Sequence, residues 1–221
     1  MSNRYDLQIS ISGLEEFARR FAEMPDIAMQ AGRFALNKTA VAARKMSADE
    51  ILRQINFGAS YLSGEDNQRL KVQKSVNENL RAEITARKRP TSLARFATDK
   101  KTGRRGSNNP VRINVKGRIK TGISVTGADR ATTPGFLINL KRGDLESGNV
   151  GLVVRLKEGE RIRGTGYQAK PFGKHRNLYL VYGPSVDQVF GEVRLGIVKS
   201  GRIPTMMASE FSRQFKRLSN V

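Results

Sequence analysis

Residues that could carry catalysis or bind a metal ion are scarce in this chain of 221 residues, which has one histidine, His175, and no cysteine. The lack of cysteine excludes disulfides, thiolate metal sites and cysteine nucleophiles. His175 has neither a second histidine nor a cysteine with which to complete a metal site. We interpret it as a histidine of a polar loop, rather than as a general base or a metal ligand.

Acidic residues occur in three close pairs, which are Asp49 with Glu50, Glu65 with Asp66, and Glu158 with Glu160. Adjacent residues on a helix do not face each other, and a two-carboxylate hydrolase needs separated acids in different environments. The segment Gly164-Thr165-Gly166 is too short for a phosphate-binding loop, because it lacks both the Gly-x-Gly-x-x-Gly spacing and a Gly-Lys-Ser/Thr ending. The sequence therefore predicts no catalytic residue, metal or cofactor, and indicates a protein that is not an enzyme.

Positive charge is the strongest chemical signal in the sequence. The chain has 40 Lys and Arg against 20 Asp and Glu, a net charge of +20, and such a charge attracts polyanions. Residues 87–120 hold 12 basic residues against Asp99, a net charge of +11. We predict that this segment binds DNA or an acidic partner through Arg87, Lys88, Arg89, Lys100, Lys101, Arg104, Arg105, Arg112, Lys116, Arg118 and Lys120.

Two kinds of partner fit this basic segment equally well. Closely spaced like charges keep a loop extended, and an extended basic loop can follow DNA phosphates without reading bases. The same loop could instead dock on acidic faces of neighbouring subunits. Aromatic residues are not interleaved with the charges, which argues against base stacking on single strands and against sequence-specific RNA recognition. No helix-turn-helix or zinc signature accompanies the segment.

The spacing of apolar residues predicts the elements that must position these charges. Alternation over 5–11 indicates a half-buried strand, and a short helix follows. Pro25 can begin a helix of about 30 residues, which would be ~45 Å long. Alternation on both sides of a turn at 77–79 predicts a β-hairpin. The apolar residues that fall near one face of the long helix are Ile27, Ala31, Phe34, Val41, Ala48, Leu52 and Ile55.

The second half of the chain alternates strands with polar stretches. Strands are predicted near 111–115, 136–140, 150–156 and 178–182, followed by helices over 186–193 and from Pro204 onward. The stretches at about 97–110 and 157–177 are expected to be long flexible loops. The order indicates an α+β fold, in which the long helix and the C-terminal helices pack on an antiparallel β-sheet with extended basic loops. We expect a single domain over residues 1–221.

The apolar content is low for a protein of this length. Hydrophobic residues make up 38% and aromatic residues 7% of the chain, with no tryptophan, and with the 21 glycines the apolar share is at the low end of the usual range. A lean core indicates that part of the stability comes from partner molecules. The N-terminus has no apolar segment typical of a signal peptide. No run approaches the ~18 apolar residues of a transmembrane helix, so no membrane partner is expected.

Four segments in this order resemble the prophage minor tail protein Z family and related phage tail-completion proteins. They are Phe34-Ala35-Leu36-Asn37-Lys38-Thr39-Ala40 on the long helix, Arg89-Pro90-Thr91-Ser92-Leu93-Ala94-Arg95-Phe96, Leu178-Tyr179-Leu180-Val181-Tyr182-Gly183-Pro184-Ser185-Val186, and the helix after Ile203-Pro204. Each motif alone is weak, whereas the ordered set, spanning roughly residues 25–220, is more specific.

The resemblance implies a structural virion protein that completes the head-proximal end of the tail, in the neck region, after assembly in the host cytoplasm. It implies an α+β fold, oligomerisation as a ring, commonly six-fold, and a role in joining heads to tails. The implied partners are further copies of the chain and other neck and tail proteins, namely the tail terminator, the tail tube and the connector proteins, with double-stranded DNA as an option. No catalytic residue is implied. The alternative is a free, sequence-nonspecific double-stranded DNA-binding protein.

Overall fold

A computed structural model of the chain describes residues 6–10, 15–64, 67–76, 79–98, 111–117, 119–127, 132–140, 150–163, 168–173 and 177–219. Helices and antiparallel sheets make up the described part, so the predicted α+β class is confirmed. The chain forms two compact units. Unit 1 comprises Met1–Arg53, Ala59–Lys88 and Val186–Val221, and unit 2 comprises Gln54–Gly58 and Arg89–Ser185. The single domain expected over 1–221 stays a prediction, since two clusters of contacts can still fold together.

Unit 1 combines helices with a three-stranded antiparallel sheet. Its helices are α1 (Glu15–Glu23), α2 (Pro25–Gln54), α3 (Val186–Lys199) and α4 (Arg202–Ser219), with a 3-10 helix at Ala59–Leu62. Its strands are β1 (Asp6–Ser10), β2 (Leu70–Gln73) and β3 (Arg81–Ala86), in the order β1-β3-β2. The predicted strand near the N-terminus and the predicted hairpin of β2 and β3 are therefore confirmed. In the central strand, Ala82, Ile84 and Ala86 alternate into the core, as a half-buried strand requires.

Helix α2 is the 30-residue helix that the sequence predicts, and Pro25 is its first residue. Its buried face is formed mostly by side chains no larger than threonine. The buried residues are Ala28, Ala31, Gly32, Ala35, Leu36, Thr39, Ala40, Ala43, Arg44, Ser47, Ala48 and Ile51. Of the predicted face, Ala31, Ala48 and Ile55 are buried as expected. The buried face is nevertheless rotated relative to the prediction, because the other four residues are half-buried, namely Ile27, Phe34, Val41 and Leu52. Alanine has little hydrophobic weight in a periodicity pattern, yet small side chains allow other elements to approach the helix closely.

Two polar side chains of α2 fix the neighbouring backbone. Asn37 donates through Nδ2 to the carbonyl oxygen of Ser75 at 3.0 Å and accepts from the amide nitrogen of Ser75 at 2.7 Å. Arg44, which is 5% exposed, donates through Nε to the carbonyl oxygen of Leu70 at 3.0 Å and through Nη2 to that of Leu62. A buried charge is tolerated only when it is hydrogen-bonded. Arg44 thus holds both β2 and the 3-10 helix against α2.

Unit 2 is built from short antiparallel strands. The strands in its described residues are β4 (Thr91–Ser92), β5 (Arg112–Asn114), β6 (Ile119–Thr121), β7 (Ile123–Thr126), β8 (Thr132–Thr133), β9 (Gly135–Asn139), β10 (Val150–Arg155), β11 (Arg161–Ile162), β12 (Gln168–Pro171) and β13 (Leu178–Gly183). The largest sheet has the order β12-β13-β10-β9, with β4 also paired to β13. Smaller sheets are β11-β7-β8 and the hairpin β5-β6. Leu152, Val153 and Val154 of β10 are consecutive and all buried, so this strand is covered on both faces.

The prediction of a flexible loop at 157–177 is wrong for the described part of this range, which contains β11 and β12. Strand β12 pairs with β13 in the register Gln168 to Tyr182 and Pro171 to Tyr179. All four β12 residues are exposed, so the strand lacks the apolar alternation by which strands are predicted. Its position at a sheet edge also accommodates Pro171. Of the other expected loop, 97–110, residues 99–110 lie outside the described residues.

Both C-terminal helices are longer than the sequence predicts. Helix α3 continues six residues beyond the expected end at Val193, because Ile197 is buried one turn further along the same face. Gly201, with a φ of 67°, follows the end of α3, where a left-handed residue commonly terminates a helix. Helix α4 begins at Arg202, which places Pro204 in its first turn.

Replacing Asn37 with alanine tests the attachment of the hairpin to α2. The change removes both bonds to Ser75 and leaves a backbone amide and carbonyl without these partners. We expect the free energy of unfolding to fall by about 1–3 kcal/mol. Gln30→Ala, at an exposed position of the same helix, should change it by less than about 0.5 kcal/mol. Equal effects of the two variants, measured by chemical denaturation, would argue against a structural role for Asn37.

Candidate functional site

The positive charge of the chain is divided unequally between the two units. Unit 2 contains 20 Lys and Arg against six Asp and Glu, a net charge of +14, whereas unit 1 contains 20 against 14, a net charge of +6. The surplus therefore belongs mainly to the unit of short strands. Charge of one sign at this density attracts an oppositely charged partner and repels a second copy of the same surface.

The two ends of the most basic stretch meet at strand β5. Ala97 forms a β-bridge with Ile113, and the amide nitrogen of Thr98 donates to the carbonyl oxygen of Arg112 at 2.9 Å. At the other end, the amide nitrogen of Val111 donates to the carbonyl oxygen of Gly135 at 3.0 Å. The described residues on either side of 99–110 therefore lie close together in unit 2. Four predicted site residues of that stretch lie outside the described residues, as does Arg118; the four are Lys100, Lys101, Arg104 and Arg105.

Strands β5 and β6 form a hairpin that carries three more of the predicted site residues. Arg112 is exposed on β5, and Lys116 is exposed in the turn that follows. Lys120 lies in β6, opposite Ile113 in the register. The hairpin is fixed by Asn56, whose amide nitrogen donates to the carbonyl oxygen of Val115 at 2.9 Å and whose Nδ2 donates to that of Asn114 at 3.2 Å. The β5-β6 hairpin, which follows the most basic stretch, is thus fixed by hydrogen bonds to Asn56.

Several cations of unit 2 have no acidic partner. Arg89, Arg112 and Lys116 are exposed, and the structure gives their side chains no ion pair with any residue it describes. In unit 1, Glu50 pairs with Arg53 and Glu210 with Lys38, while some exposed cations, such as Lys45, likewise make no ion pair with a described residue. Exposed cations without internal partners keep their charge available for an external one.

Arg87 and Lys88 belong to unit 1 and differ in burial. Lys88 is exposed, whereas Arg87 is half-buried and donates through Nη2 to the hydroxyl of Tyr61 at 2.6 Å. The guanidinium of Arg69 lies over the same ring, 4.4 Å from its centroid. Arg87 therefore has a structural task in unit 1, and its role in binding stays a prediction.

Sequence reasoning missed further cations of unit 2, namely Lys157, Arg161, Arg163 and Lys170. All four are exposed, and the Nζ of Lys170 lies 5.7 Å from the centroid of the Tyr182 ring. The amide nitrogen of Arg163 donates to the carbonyl oxygen of Ser124 at 2.9 Å, which extends the pairing of β11 with β7. The alternation Arg161-Ile162-Arg163 could have identified two of these cations, since it predicts a short strand with both arginines on one face.

The candidate catalytic residues are not assembled into a site by the described residues. His175, Glu65, Asp66 and the segment 164–166 lie outside them. Glu160 is buried and accepts a hydrogen bond from the amide nitrogen of Lys157 at 2.7 Å, which closes a turn. In the described ranges, no group of three or more His, Cys, Asp or Glu could hold a metal ion. Within the same ranges, no helix combines the length and the apolar character needed to cross a membrane.

Two of the segments that carry the family resemblance pack together inside unit 2. Thr91 and Ser92 of β4 pair with Gly183 and Tyr182 of β13. Gly183 is buried, and a Cβ placed on it would lie 2.9 Å from Cδ2 of Leu93. The second and third motifs therefore owe their residue types to a shared packing contact.

The first and fourth segments meet in unit 1, where α2 and α4 are joined by Glu210. Its carboxylate lies 3.5 Å from the Nζ of Lys38 and accepts hydrogen bonds from Arg213 and Gln214. The bond from Arg213, above all, holds the pKa of Glu210 below its ordinary value, so the carboxylate stays charged at neutral pH. These motifs too form contacts within the fold and do not surround a cleft of reactive groups.

Comparisons with known proteins find no match: no protein-family model matches the chain, and no curated protein or solved structure is significantly similar to it.

Gly183→Val tests the packing between the second and third motifs. The new side chain would overlap Leu93, which is fully buried, and we expect a loss of about 1–3 kcal/mol in the free energy of unfolding. Gly196→Val on α3, where a Cβ meets no atom within 4 Å, should stay within about 0.5 kcal/mol. If Gly183→Val melts at the wild-type temperature, the proposed contact between the motifs is wrong.

Proposed function

We propose that this chain is a structural, non-enzymatic virion protein that completes the head-proximal end of a phage tail. In this proposal several copies form a ring, commonly six-fold, which joins the tail to the neck proteins and the head. The four ordered motifs support the proposal through their resemblance to tail-completion proteins. The first and fourth motifs contact each other in unit 1, and the second and third contact each other in unit 2. Such contacts are expected of segments that define the fold of a family.

The observation that carries the proposal is the uncompensated positive charge of unit 2. Arg89, Arg112 and Lys116 have no ion-pair partner in the described part of the chain, and unit 2 has a net charge of +14. Several such subunits repel one another unless negative charge lies between or beside them. An assembled ring would therefore need acidic faces of neighbouring tail proteins, or the phosphates of DNA, to offset this charge.

A second candidate function is a free, sequence-nonspecific double-stranded DNA-binding protein. It is favoured by one observation, which is that the residues on either side of 99–110 are held within unit 2, Thr98 by exposed Arg112 of β5 and Val111 by Gly135 of β9. A basic loop closed at its base can contact phosphates without any partner protein. This candidate predicts tight, salt-sensitive duplex binding by the isolated monomer, whereas the ring proposal predicts binding that depends on assembly.

Localisation in assembled particles tests the ring proposal directly. We expect an image of the phage particle to place several copies of this chain in one ring where the tail meets the head. Sedimentation of the purified chain, alone and with tail tubes, should give an oligomer at least in the presence of the tubes. A chain that is absent from finished particles, or a monomer that turns over a substrate, would contradict the proposal.

Neutralising the basic loop separates its binding role from the stability of the fold. In the quadruple variant Lys100→Ser, Lys101→Ser, Arg104→Ser and Arg105→Ser, we expect the melting temperature to be unchanged, because residues 99–109 contain no apolar side chain to bury. Head-to-tail joining or DNA retention should be impaired. Where the loop contacts a duplex, each lost phosphate contact should also make the slope of log K against log salt less negative by about 0.9.

The matched control removes four exposed cations of unit 1, namely Lys45, Lys71, Lys199 and Arg202. The change in net charge is the same in both variants. An equal loss of DNA affinity and of assembly in the control would show that total charge, and not the loop, is responsible. A large loss of thermal stability in the loop variant would instead make the loop part of the core.

A further inference from the structure

A second cationic cluster lies on the helices of unit 1, where two arginines share one aromatic ring. The guanidinium carbon of Arg33 is 5.5 Å from the centroid of the Phe34 ring, and that of Arg217 is 5.6 Å from the same centroid. Phe34 is half-buried on α2, and Arg217 is exposed in the last turn of α4. The ring therefore fixes two positively charged groups at one place on the surface.

Within the described residues, the hydrogen-bond donors of these two guanidinium groups are unused. Neither Arg33 nor Arg217 makes a side-chain hydrogen bond or an ion pair with any residue in the described part of the chain. A guanidinium carries five N–H donors in a planar fork, and stacking against a ring consumes none of them. Side chains held in this way lose little further entropy when they bind a carboxylate.

The arrangement also brings two like charges close together. Because each guanidinium carbon lies within 5.6 Å of one centroid, the two are at most about 11 Å apart, a separation near the Debye length at physiological salt. An anion that contacts both guanidinium groups would therefore be attracted by two positive charges.

We propose that Arg33, Phe34 and Arg217 form a docking site for an acidic segment of a partner protein. Carboxylates of the segment would accept hydrogen bonds from the two guanidinium forks, and an apolar side chain beside them would contact the ring. Arginine and aromatic residues are the types enriched at the centre of protein interfaces. The site consists of residues of unit 1 alone and does not depend on the proposed function.

The surroundings favour a protein segment over a DNA backbone. Acidic groups are interspersed among the cations of these helices, since Glu210 joins Lys38 to Arg213 and Glu23 lies 3.3 Å from Arg20. A duplex presents one negative charge per ~1.7 Å of its axis, so it would bring phosphates against these carboxylates. A polypeptide with a few separated carboxylates can pair with the two arginines and avoid them.

Binding of a labelled acidic peptide tests this site. The parent protein is the full chain with Lys100, Lys101, Arg104 and Arg105 changed to serine, so that the basic loop does not dominate binding. The probes are a fluorescein-labelled octaglutamate peptide and a labelled DNA duplex, followed by anisotropy. We expect Arg33→Gln with Arg217→Gln to weaken peptide binding by about tenfold or more, as the loss of charge-assisted bonds predicts.

The control pair is Lys45→Gln with Lys71→Gln, which removes the same charge from other exposed positions of unit 1. This pair should weaken peptide binding by less than about threefold. An equal loss in both pairs would overturn the proposal, because it would mean attraction by net charge alone. A selective loss of duplex binding in the arginine pair would also overturn it, in favour of a phosphate site.

A second substitution separates binding from folding. Arg33→Lys with Arg217→Lys keeps both charges and the contact with Phe34, but replaces the planar forks with point charges. We expect this variant to melt like the parent and to bind the peptide more weakly, by about threefold or more. Parent-level binding by the lysine variant would overturn the proposed recognition by guanidinium forks, even if the glutamine variant fails to fold.

Discussion

Unit 1 depends on the burial of one face of a long helix that is built mostly from small side chains. Nine of the twelve buried residues of α2 have side chains no larger than threonine. Arg44, a large one, is buried at the point where it can donate to the carbonyl oxygens of Leu62 and Leu70. Burial of an arginine without such acceptors would be strongly unfavourable. The path of the chain after α2, through the 3-10 helix and into β2, therefore follows from one buried cation and a row of small residues.

The two units differ in net charge, which is +14 for unit 2 and +6 for unit 1, and the proposed function rests on that difference. In unit 1, carboxylates such as Glu50, Glu83 and Glu210 pair with neighbouring arginines and lysines. In unit 2, acids are few and exposed cations such as Arg112 and Lys116 point to solvent unpaired within the described ranges. Paired surface charges add little to stability, whereas unpaired ones of one sign create a field that selects a partner. Among the cations of unit 1 that make no ion pair with a described residue, Arg33 and Arg217 are distinguished by their contact with one aromatic ring, which is why they identify a separate surface.

The sequence was sufficient for elements with strong periodicity and insufficient where hydrophobic contrast was low. Strand β3 and the start of α2 at Pro25 agree with the prediction, because alternation and a helix-starting proline are local signals. The predicted position of the buried face of α2 was shifted, because most of its buried residues are alanines, whose low hydrophobicity gives little contrast with polar neighbours in the sequence. Strand β12 was missed because its residues are all exposed. The Phe34 cluster could not be predicted, since Arg217 lies about 180 residues away in the sequence and no local pattern records that contact.

The motifs and the charges carry different kinds of information. Gly183 is required where β13 passes Leu93, and Asn37 where α2 meets Ser75, so residues of these segments are constrained by packing in any protein with this fold. Packing of this kind identifies a fold, whereas a function resides in the groups that the fold presents. In our proposals those groups are the cations of unit 2 that make no ion pair with a described residue and the two guanidinium groups over Phe34. A protein that acts through such groups needs a negatively charged neighbour and not a cleft of reactive residues. Its stability and its assembly should both increase with the concentration of that neighbour.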